Sequence, residues 1–396
     1  MKLSSCWIGI LVCLAAPLLT AQVPDQSHMY AHPPIRISDA PQNPDQPTGI
    51  LPAQFKAAYG FNRIPNQGQN QTIAIVDAYD DPNLESDVAF YVSYFHLPPC
   101  SFQKVQVGSP PNNQVWGLEE SLDLEQVCAL APQANIILVE ANSQSLTDLL
   151  AAVQVAYSAP YNATVISMSW GYLEFNGETA DDSYFCHIVN GNGQPVIFVA
   201  GSGDSGHHTL YPGASQCVIA AGGTDLTLST ALPLANPLQL NYGMETAWSL
   251  SGGGVSPYEA QPSYQSPACS TWSTTNRCIP DIASVSSNIP VYDTYGYPGW
   301  NNVEGTSIAS PDWAAFFTLV NSMRENQSEG PLSNAVQDLY EIYYSSQYSA
   351  DFHDITQGSN GTCGSQCNAG PGYDLVTGIG TYQANVLATA LVAEPN

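Results

Sequence analysis

Between residues 72 and 220 the chain alternates short apolar runs with longer stretches of helical periodicity, and this alternation leaves few folds open. The runs are Thr72-Ile-Ala-Ile-Val-Asp77, Asn135-Ile-Ile-Leu-Val-Glu140, Thr164-Val-Ile-Ser-Met-Ser169, Pro195-Val-Ile-Phe-Val-Ala200 and the shorter Cys217-Val-Ile-Ala220. Their apolar residues follow one another without a polar alternate, the pattern of a strand covered on both faces. Pro82–Phe95, Leu118–Leu130 and Ser145–Tyr157 read as helices between them. Apolar strands joined by helices predict an α/β fold, a mostly parallel central sheet with helices on both faces. A short helix is expected over 49–60, stopped by Gly60, and a long buried one over Ser307–Met323. Residues 225–300, rich in Pro, Gly and Ser, read as loops. No internal repeat or domain-sized linker interrupts the pattern, so residues 49–396 are expected to form one domain.

Charge narrows the function. Only 10% of the 396 residues are charged, and 7 Lys+Arg face 34 Asp+Glu, a formal net charge of −27. Nucleic-acid binding needs a basic footprint, and anionic membrane surfaces attract basic segments, so both are excluded as partners. Disorder is not expected either, because 44% of the residues are hydrophobic. Carboxylates titrate near pH ~4, so a surface with few cations loses its self-repulsion in acid.

Met1-Lys-Leu, an apolar run from Trp7 to Leu19 and a small residue at Ala21 make a secretory signal over 1–21, too short for a membrane span. Residues 22–48, rich in Pro, Gln, Asp and Ser, read as a flexible segment too short for a folded prodomain. An exported, monomeric protein is expected. Export gives meaning to the even number of cysteines beyond the leader: Cys100, Cys128, Cys186, Cys217, Cys269, Cys278, Cys363 and Cys367. Proximity favours Cys269–Cys278 and Cys363–Cys367, after which Cys100–Cys128 and Cys186–Cys217 follow. A zinc site from Cys363, Cys367 and His353 is the weaker reading in that compartment.

Gly305-Thr-Ser307 opens the long buried helix, with Pro311 in its first turns. A serine at a helix N-terminus can act as a nucleophile, because the free amides there favour developing negative charge; alone it could equally be a helix cap. None of the 7 histidines sits in a His-Gly-Thr-His setting. Glu119 and Asp123 are the alternative base: four residues apart on a helix, they share a face, and like charges at that spacing raise one carboxyl's pKa. Asp204, in Ala200-Gly-Ser-Gly-Asp-Ser-Gly206, follows an apolar strand, where open α/β sheets place their sites.

Together these stretches resemble the sedolisin family, the serine-carboxyl peptidases of subtilisin-like fold. They are Glu119-x-x-x-Asp123-x-Glu125 with Ala129-Leu-Ala-Pro132, then Ser167-Met-Ser-Trp-Gly171, Gly203-Asp-Ser-Gly206, and Gly305-Thr-Ser307 with Pro311. The resemblance implies that Ser307 is the nucleophile, Glu119 its general base, Asp123 the carboxyl that orients Glu119, and Asp204 a protonated donor in the oxyanion hole. It implies a supporting carboxyl at Asp77, near Trp170. Glu304 stands where most relatives carry Gly. Phe352-His-Asp354-Ile355 and Gly370-Pro-Gly372-Tyr-Asp374 match the family's calcium site. One structural Ca²⁺ would be held by the side chains of Asp354 and Asp374 and the carbonyls of Ile355, Gly370 and Gly372. The implied activity is a secreted endopeptidase acting in acid on protein or peptide substrates. These would lie extended between Glu140–Ser143 and Ser169–Gly171. The rival reading is a catalytically impaired secreted binding protein on the same scaffold.

Overall fold

The computed structural model describes residues 31–38, 43–229 and 242–395. The expected signal peptide, 1–21, lies outside the described residues. The central sheet has eight strands: β1 Thr72–Ala78, β2 Phe102–Val107, β3 Asn135–Ala141, β4 Val165–Met168, β5 Ile197–Gly201, β6 Ile219–Thr227, β7 Met244–Ala247 and β8 Ile282–Val285. Their order is β7-β6-β5-β4-β1-β3-β2, and β8 also pairs with β6. Every pairing is parallel except that of β7 with β6.

Alternate residues of β1 point to opposite faces, and each face meets its own core. Ile73 and Ile75 join the larger core, which holds α1 (Gln114–Leu130) and α3 (Thr306–Asn326); Ala74, Val76 and Ala78 join the smaller, which holds α2 (Leu146–Tyr157). The apolar runs therefore carry no polar alternate because neither face meets water. Asn113 caps α1, its side chain accepting from the Val115 and Trp116 amides at 3.0 and 3.2 Å. Ser145 caps α2 through the Asp148 amide. The sheet reverses its winding about β1, which has β4 on one side and β3 on the other, so the ends of β1 and β4 open a crevice.

Three expectations change. Strand β2 did not stand out, because it is an edge strand whose Gln103, Lys104 and Gln106 break the apolar run. Residues 225–300 are not merely loops. Besides β7 and β8 they contain Gly254–Ala260 paired with Asn276–Ile279, and Ile289–Asp293 paired with Gly299–Glu304. These strands are short, and the Pro, Gly and Ser among and around them hide the pattern. Finally, residues 31–38 of the segment expected to be flexible are laid down as backbone: Arg36–Ile37 pairs antiparallel with Gly299–Glu304, and Ala31 is fully buried. All four disulfides, Cys100–Cys128, Cys186–Cys217, Cys269–Cys278 and Cys363–Cys367, form as expected. Among the described residues, no helix is long and apolar enough to cross a membrane.

Candidate active site

Helix α1 is buried nearly all round, which forces its polar residues inside: Glu119, Glu120, Asp123 and Glu125 are buried with its leucines. Glu119 and Asp123 lie one turn apart and meet Asp77, which ends the apolar run of β1. Trp170 fixes this corner by donating from Nε1 to the Val76 carbonyl at 2.9 Å. Burial first, and then Asp77, holds Glu119 well above the usual carboxyl range; the nearby Ser307 and Ser169 hydroxyls oppose the shift. Both Glu119 oxygens and Ser307 Oγ are nevertheless outside hydrogen-bond geometry, with no partner at all. Asp123 is pushed up by burial, then by Asp77 and Glu119, and accepts from Ser169 Oγ at 2.9 and 2.8 Å. Carboxyls crowded so closely hold protons jointly rather than singly.

Ser307 is fully buried in the first turn of α3. Pro311 has no N–H to return to the Ser307 carbonyl, and Ser169 Oγ lies 3.4 Å from that oxygen instead. Ser169 Oγ thus stands between the Asp123 carboxyl and the Ser307 backbone. Its sequence signal was its place in Ser167-Met-Ser-Trp-Gly171, where 169–171 is expected to line the substrate and no bond to Asp123 is foreseen.

Thr306, given no role from the sequence, aims Asp204. The Thr306 amide and hydroxyl both donate to Asp204 Oδ1, at 2.9 and 3.0 Å, and the hydroxyl accepts from the Gly203 amide at 3.0 Å. Asp204 Oδ2 is left buried without a partner. Burial raises Asp204 to about 8; the Thr306 bonds and Arg36 oppose the rise, and Glu304 adds to it. Below that pH the group is a neutral acid that can donate from Oδ2. Gly305 has a φ of +150°, and a Cβ there would meet Pro34 O at 2.0 Å and Asp204 Oδ2 at 2.8 Å. Only glycine lets these two oxygens approach the turn before Ser307. The Ser307 amide donates to the same Pro34 oxygen at 3.2 Å.

Behind Asp77 stands a second carboxyl layer that the sequence did not single out. Burial raises Glu140 to about 7, opposed by Gln106 and Lys104; Lys104 Nζ lies 3.1 Å from Glu140 and 2.8 Å from Asp80. Glu120 is fully buried, and Glu140 and Asp77 reinforce the rise that its burial causes. Only the edge strand β2, itself hard to read in the sequence, brings Lys104 here.

The expected calcium ligands lie together, away from this cluster in the chain. Asp354 accepts from the Gly372 amide at 3.1 Å, and Asp374 from the Gly370 amide at 2.9 Å. Both carboxylates therefore face the Gly370–Gly372 turn. Two carboxylates and turn carbonyls make an all-oxygen donor set, which fits a hard cation.

The chain can now be set beside known proteins. Residues 108–342 match the Subtilase family. Sedolisin of Pseudomonas sp. (strain 101) is 25% identical over 90% of this chain, which spans 64% of that protein's length. Tripeptidyl-peptidase 1 of Rattus norvegicus is 30% identical over 92% of this chain and 69% of its own. The solved structure of Pseudomonas sedolisin, described as a serine-carboxyl proteinase complexed with two molecules of pseudo-iodotyrostatin, superposes with a TM-score of 0.73. It is 26% identical, over 87% of this chain and 98% of that one. The chain belongs to the sedolisin family, on the subtilisin-like α/β fold.

Proposed function

We propose that this chain is a secreted serine-carboxyl endopeptidase, a serine-type hydrolase that cleaves protein or peptide chains in acid through an acyl-enzyme on Ser307. One observation carries the reading: the unpartnered Ser307 hydroxyl sits between the Glu119 carboxyl and a pair of oxyanion groups, its own N–H and the free Oδ2 of Asp204. Glu119 takes the hydroxyl proton as Ser307 Oγ attacks the carbonyl carbon. Asp123, held by Ser169, and Asp77 share the resulting charge and proton with Glu119. The oxyanion accepts from the Ser307 amide and from protonated Asp204. Glu119 then returns its proton to the leaving amine, and water hydrolyses the ester by the same route in reverse.

The donor role supports action below about pH 8, since an ionised Asp204 accepts hydrogen bonds and cannot donate one. Four disulfides suit an exported protein. Substrate would lie extended between the backbones of 140–143 and 169–171. Asp354 and Asp374, with the carbonyls of Ile355, Gly370 and Gly372, would hold one Ca²⁺ that ties two loops together and supplies stability. The test is hydrolysis of an unfolded protein by the purified chain between about pH 2 and 8. Turnover confined to the acid range, lost in Ser307→Ala, is the expected outcome. An optimum above pH 7 would rule out the roles given to Asp204 and Glu119.

A further inference from the structure

Past Asp77 the chain enters a second gathering of carboxylates, drawn from three separate elements. Asp81 lies in the turn between β1 and the Leu84–Tyr94 helix, Asp87 in the first turn of that helix, and Asp293 at the end of the Ile289–Asp293 strand. Asp81 and Asp293 are fully buried and Asp87 is 2% exposed, and each offers one oxygen within 4.8 Å of the other two. Glu125 on α1 stands behind them: burial holds it well above the usual carboxyl range, the Tyr292 amide opposes the shift, and Asp87 and Asp293 add to it. Lys104, a cation that bears on Asp81, is already bound to Asp80 and Glu140.

We propose that Asp81, Asp87 and Asp293 hold a Ca²⁺ of their own, which ties the turn after β1 to the Leu84–Tyr94 helix and to the Ile289–Asp293 strand. The inference goes beyond the peptidase reading and depends neither on it nor on the ion expected at the Gly370–Gly372 turn. Asp81 separates this trio from an ordinary acidic cluster. Its Oδ1 accepts from the Asn83 amide at 2.8 Å, while its Oδ2 is buried with no partner. The residue of α1 against that oxygen is Gly117, where a Cβ would stand 3.1 Å away, and glycine brings no side-chain donor. Burial raises Asp81 to about 6; the Asn83 amide and Lys104 oppose the rise, and Asp293 and Asp87 add to it, so Asp81 faces both of its fellow carboxylates. A buried carboxylate oxygen that no donor meets, beside two more carboxylates, is satisfied by a cation or by a proton.

The remaining oxygens are held in place from outside the trio. The Thr294 amide donates to Asp87 Oδ2 at 2.8 Å, and the Thr294 hydroxyl lies 2.9 Å from both Asp87 oxygens. Asp293 accepts from the Tyr295 amide at 3.0 Å through Oδ1, and from the Gly296 and Tyr297 amides at 3.1 and 2.6 Å through Oδ2. Asn83, whose amide holds Asp81, donates from Nδ2 to Thr294 Oγ1 at 3.0 Å, so the supports of Asp81 and Asp87 are joined. Carboxylates that bind a metal are fixed by hydrogen bonds of this kind, which set their direction before the ion arrives.

The donor set selects the ion. Three carboxylates, with no nitrogen or sulfur among them, suit a hard cation. Two oxygens on one Ca²⁺, each about 2.3–2.6 Å from it, stand at most about 5 Å apart, so all three carboxylates can share it. Mg²⁺ commonly takes one or two carboxylates and keeps its waters, so three favour Ca²⁺, with water completing its coordination.

The test is Ca²⁺ uptake by the full chain at about pH 7, by calorimetry and metal analysis after chelation, with Ser307→Ala carried throughout so that the chain cannot digest itself. Neutral pH is used because protons shared among three crowded carboxylates displace the ion in acid. With Asp354→Ala added to silence the Gly370–Gly372 turn, one Ca²⁺ should still bind, with a dissociation constant below about 1 mM. Asp81→Asn, which keeps an oxygen for the Asn83 amide, should weaken that binding by about tenfold or more, and so should Asp87→Asn; either one decides if the other does not fold. No uptake by the folded Asp354→Ala chain overturns the proposal, and so does unchanged affinity in the substituted chains. Should Asp354→Ala itself not fold, the count without it decides: Asp81→Asn lowering bound calcium by one ion per chain supports the site, and an unchanged count overturns it.

Discussion

Two buried polar clusters treat their charges in opposite ways. Around Asp281 every oxygen is used: Arg277 binds both, at 2.6 and 3.2 Å, the Ala220 amide donates to Oδ2 at 2.8 Å, and Tyr340 donates to Oδ1 at 2.9 Å. Around Ser307 the reverse holds, since both oxygens of Asp77 and of Glu119, Oδ2 of Asp204 and Ser307 Oγ have no partner. An unsatisfied buried polar atom costs about 1–3 kcal/mol, so a cluster of them marks groups reserved for something other than holding the fold. Both Asp281 oxygens are satisfied without a ligand. The Ser307 cluster is not: the Pro34 carbonyl meets the Ser307 amide and leaves these side-chain atoms without a partner.

This contrast is tested most severely by Ser307→Ala. The hydroxyl makes no hydrogen bond, so removing it costs the fold nothing and the melting temperature should stay within about 1 °C. Turnover should fall by about 10⁴-fold or more, because nothing else in the cluster can form the ester. Measured together, unaltered melting and lost turnover separate the two kinds of cluster; a large loss of stability would contradict the assignment of Ser307 as a reserved group.

Arg277→Met should do the opposite. It leaves Asp281 buried and unpaired, at a cost of about 3–5 kcal/mol in unfolding free energy by denaturant titration. The turnover of the molecules that remain folded should not change. A stability loss under about 1 kcal/mol would mean that Asp281 finds protons or water as readily as it finds Arg277.

How much of this was legible in the sequence divides along the same line. The apolar runs of β1, β3, β4 and β5 and the buried α3 could be read because an element covered on all sides carries a near-continuous apolar run. The pairings within 225–300 could not, since short strands among Pro, Gly and Ser carry no period. Glu119, Asp123, Asp204 and Ser307 could be picked out by residue type and by a family's spacing, and the fold gathers them. The side-chain contacts of Ser169, Thr306, Lys104 and Glu140 could not. A serine bonding a carboxylate, or a threonine aiming one, differs in no way from other serines and threonines until the chain is folded. Residues 31–38 could not be read for a related reason: they are held by backbone pairings with distant strands and loops, which leave no period in the sequence.

Asp204→Asn sharpens the contrast from within the reserved cluster. The amide keeps a donor but weakens it, so turnover in acid should drop by roughly 10²–10³-fold. The carboxyl donates only while protonated, below about 8, whereas the amide donates at any pH. The ratio of variant to wild-type activity should therefore rise with pH. Stability carries the same signature. Asp204 has its folded pKa raised, so its contribution is complete below about pH 4 and is lost as pH climbs towards about 8, where the unfolded chain has released a proton that the folded chain still holds. Relative to wild type the variant should gain up to about 1.4 kcal/mol per pH unit across that window, read from denaturant midpoints at matched pH. A variant whose relative stability and activity do not move with pH would show that Asp204 is ionised in the folded protein.

The loops proposed to hold calcium offer the smallest effect and the sharpest distinction between a ligand that holds the fold and one that is consumed. Asp354 and Asp374 are bound to amides of the Gly370–Gly372 turn, so the loops keep some shape without metal, and Ca²⁺ adds only its preference for the folded chain. At about 100 times the dissociation constant that preference is worth about 2.7 kcal/mol. A chelator at about pH 5 should therefore lower the melting temperature by several degrees in wild type and leave Asp354→Ala, already deprived of a carboxylate, unmoved. Turnover measured well below the melting temperature should stay within about twofold, since none of these residues belongs to the cluster around Ser307. Because the ligands must be ionised to bind, the chelator's effect should shrink as pH falls towards the carboxylate range. An unchanged melting curve in wild type, with metal analysis confirming that calcium was removed, would leave these loops to their own hydrogen bonds. Turnover lost in step with the metal would instead join them to the reserved cluster, and the division between the two kinds of site would fail.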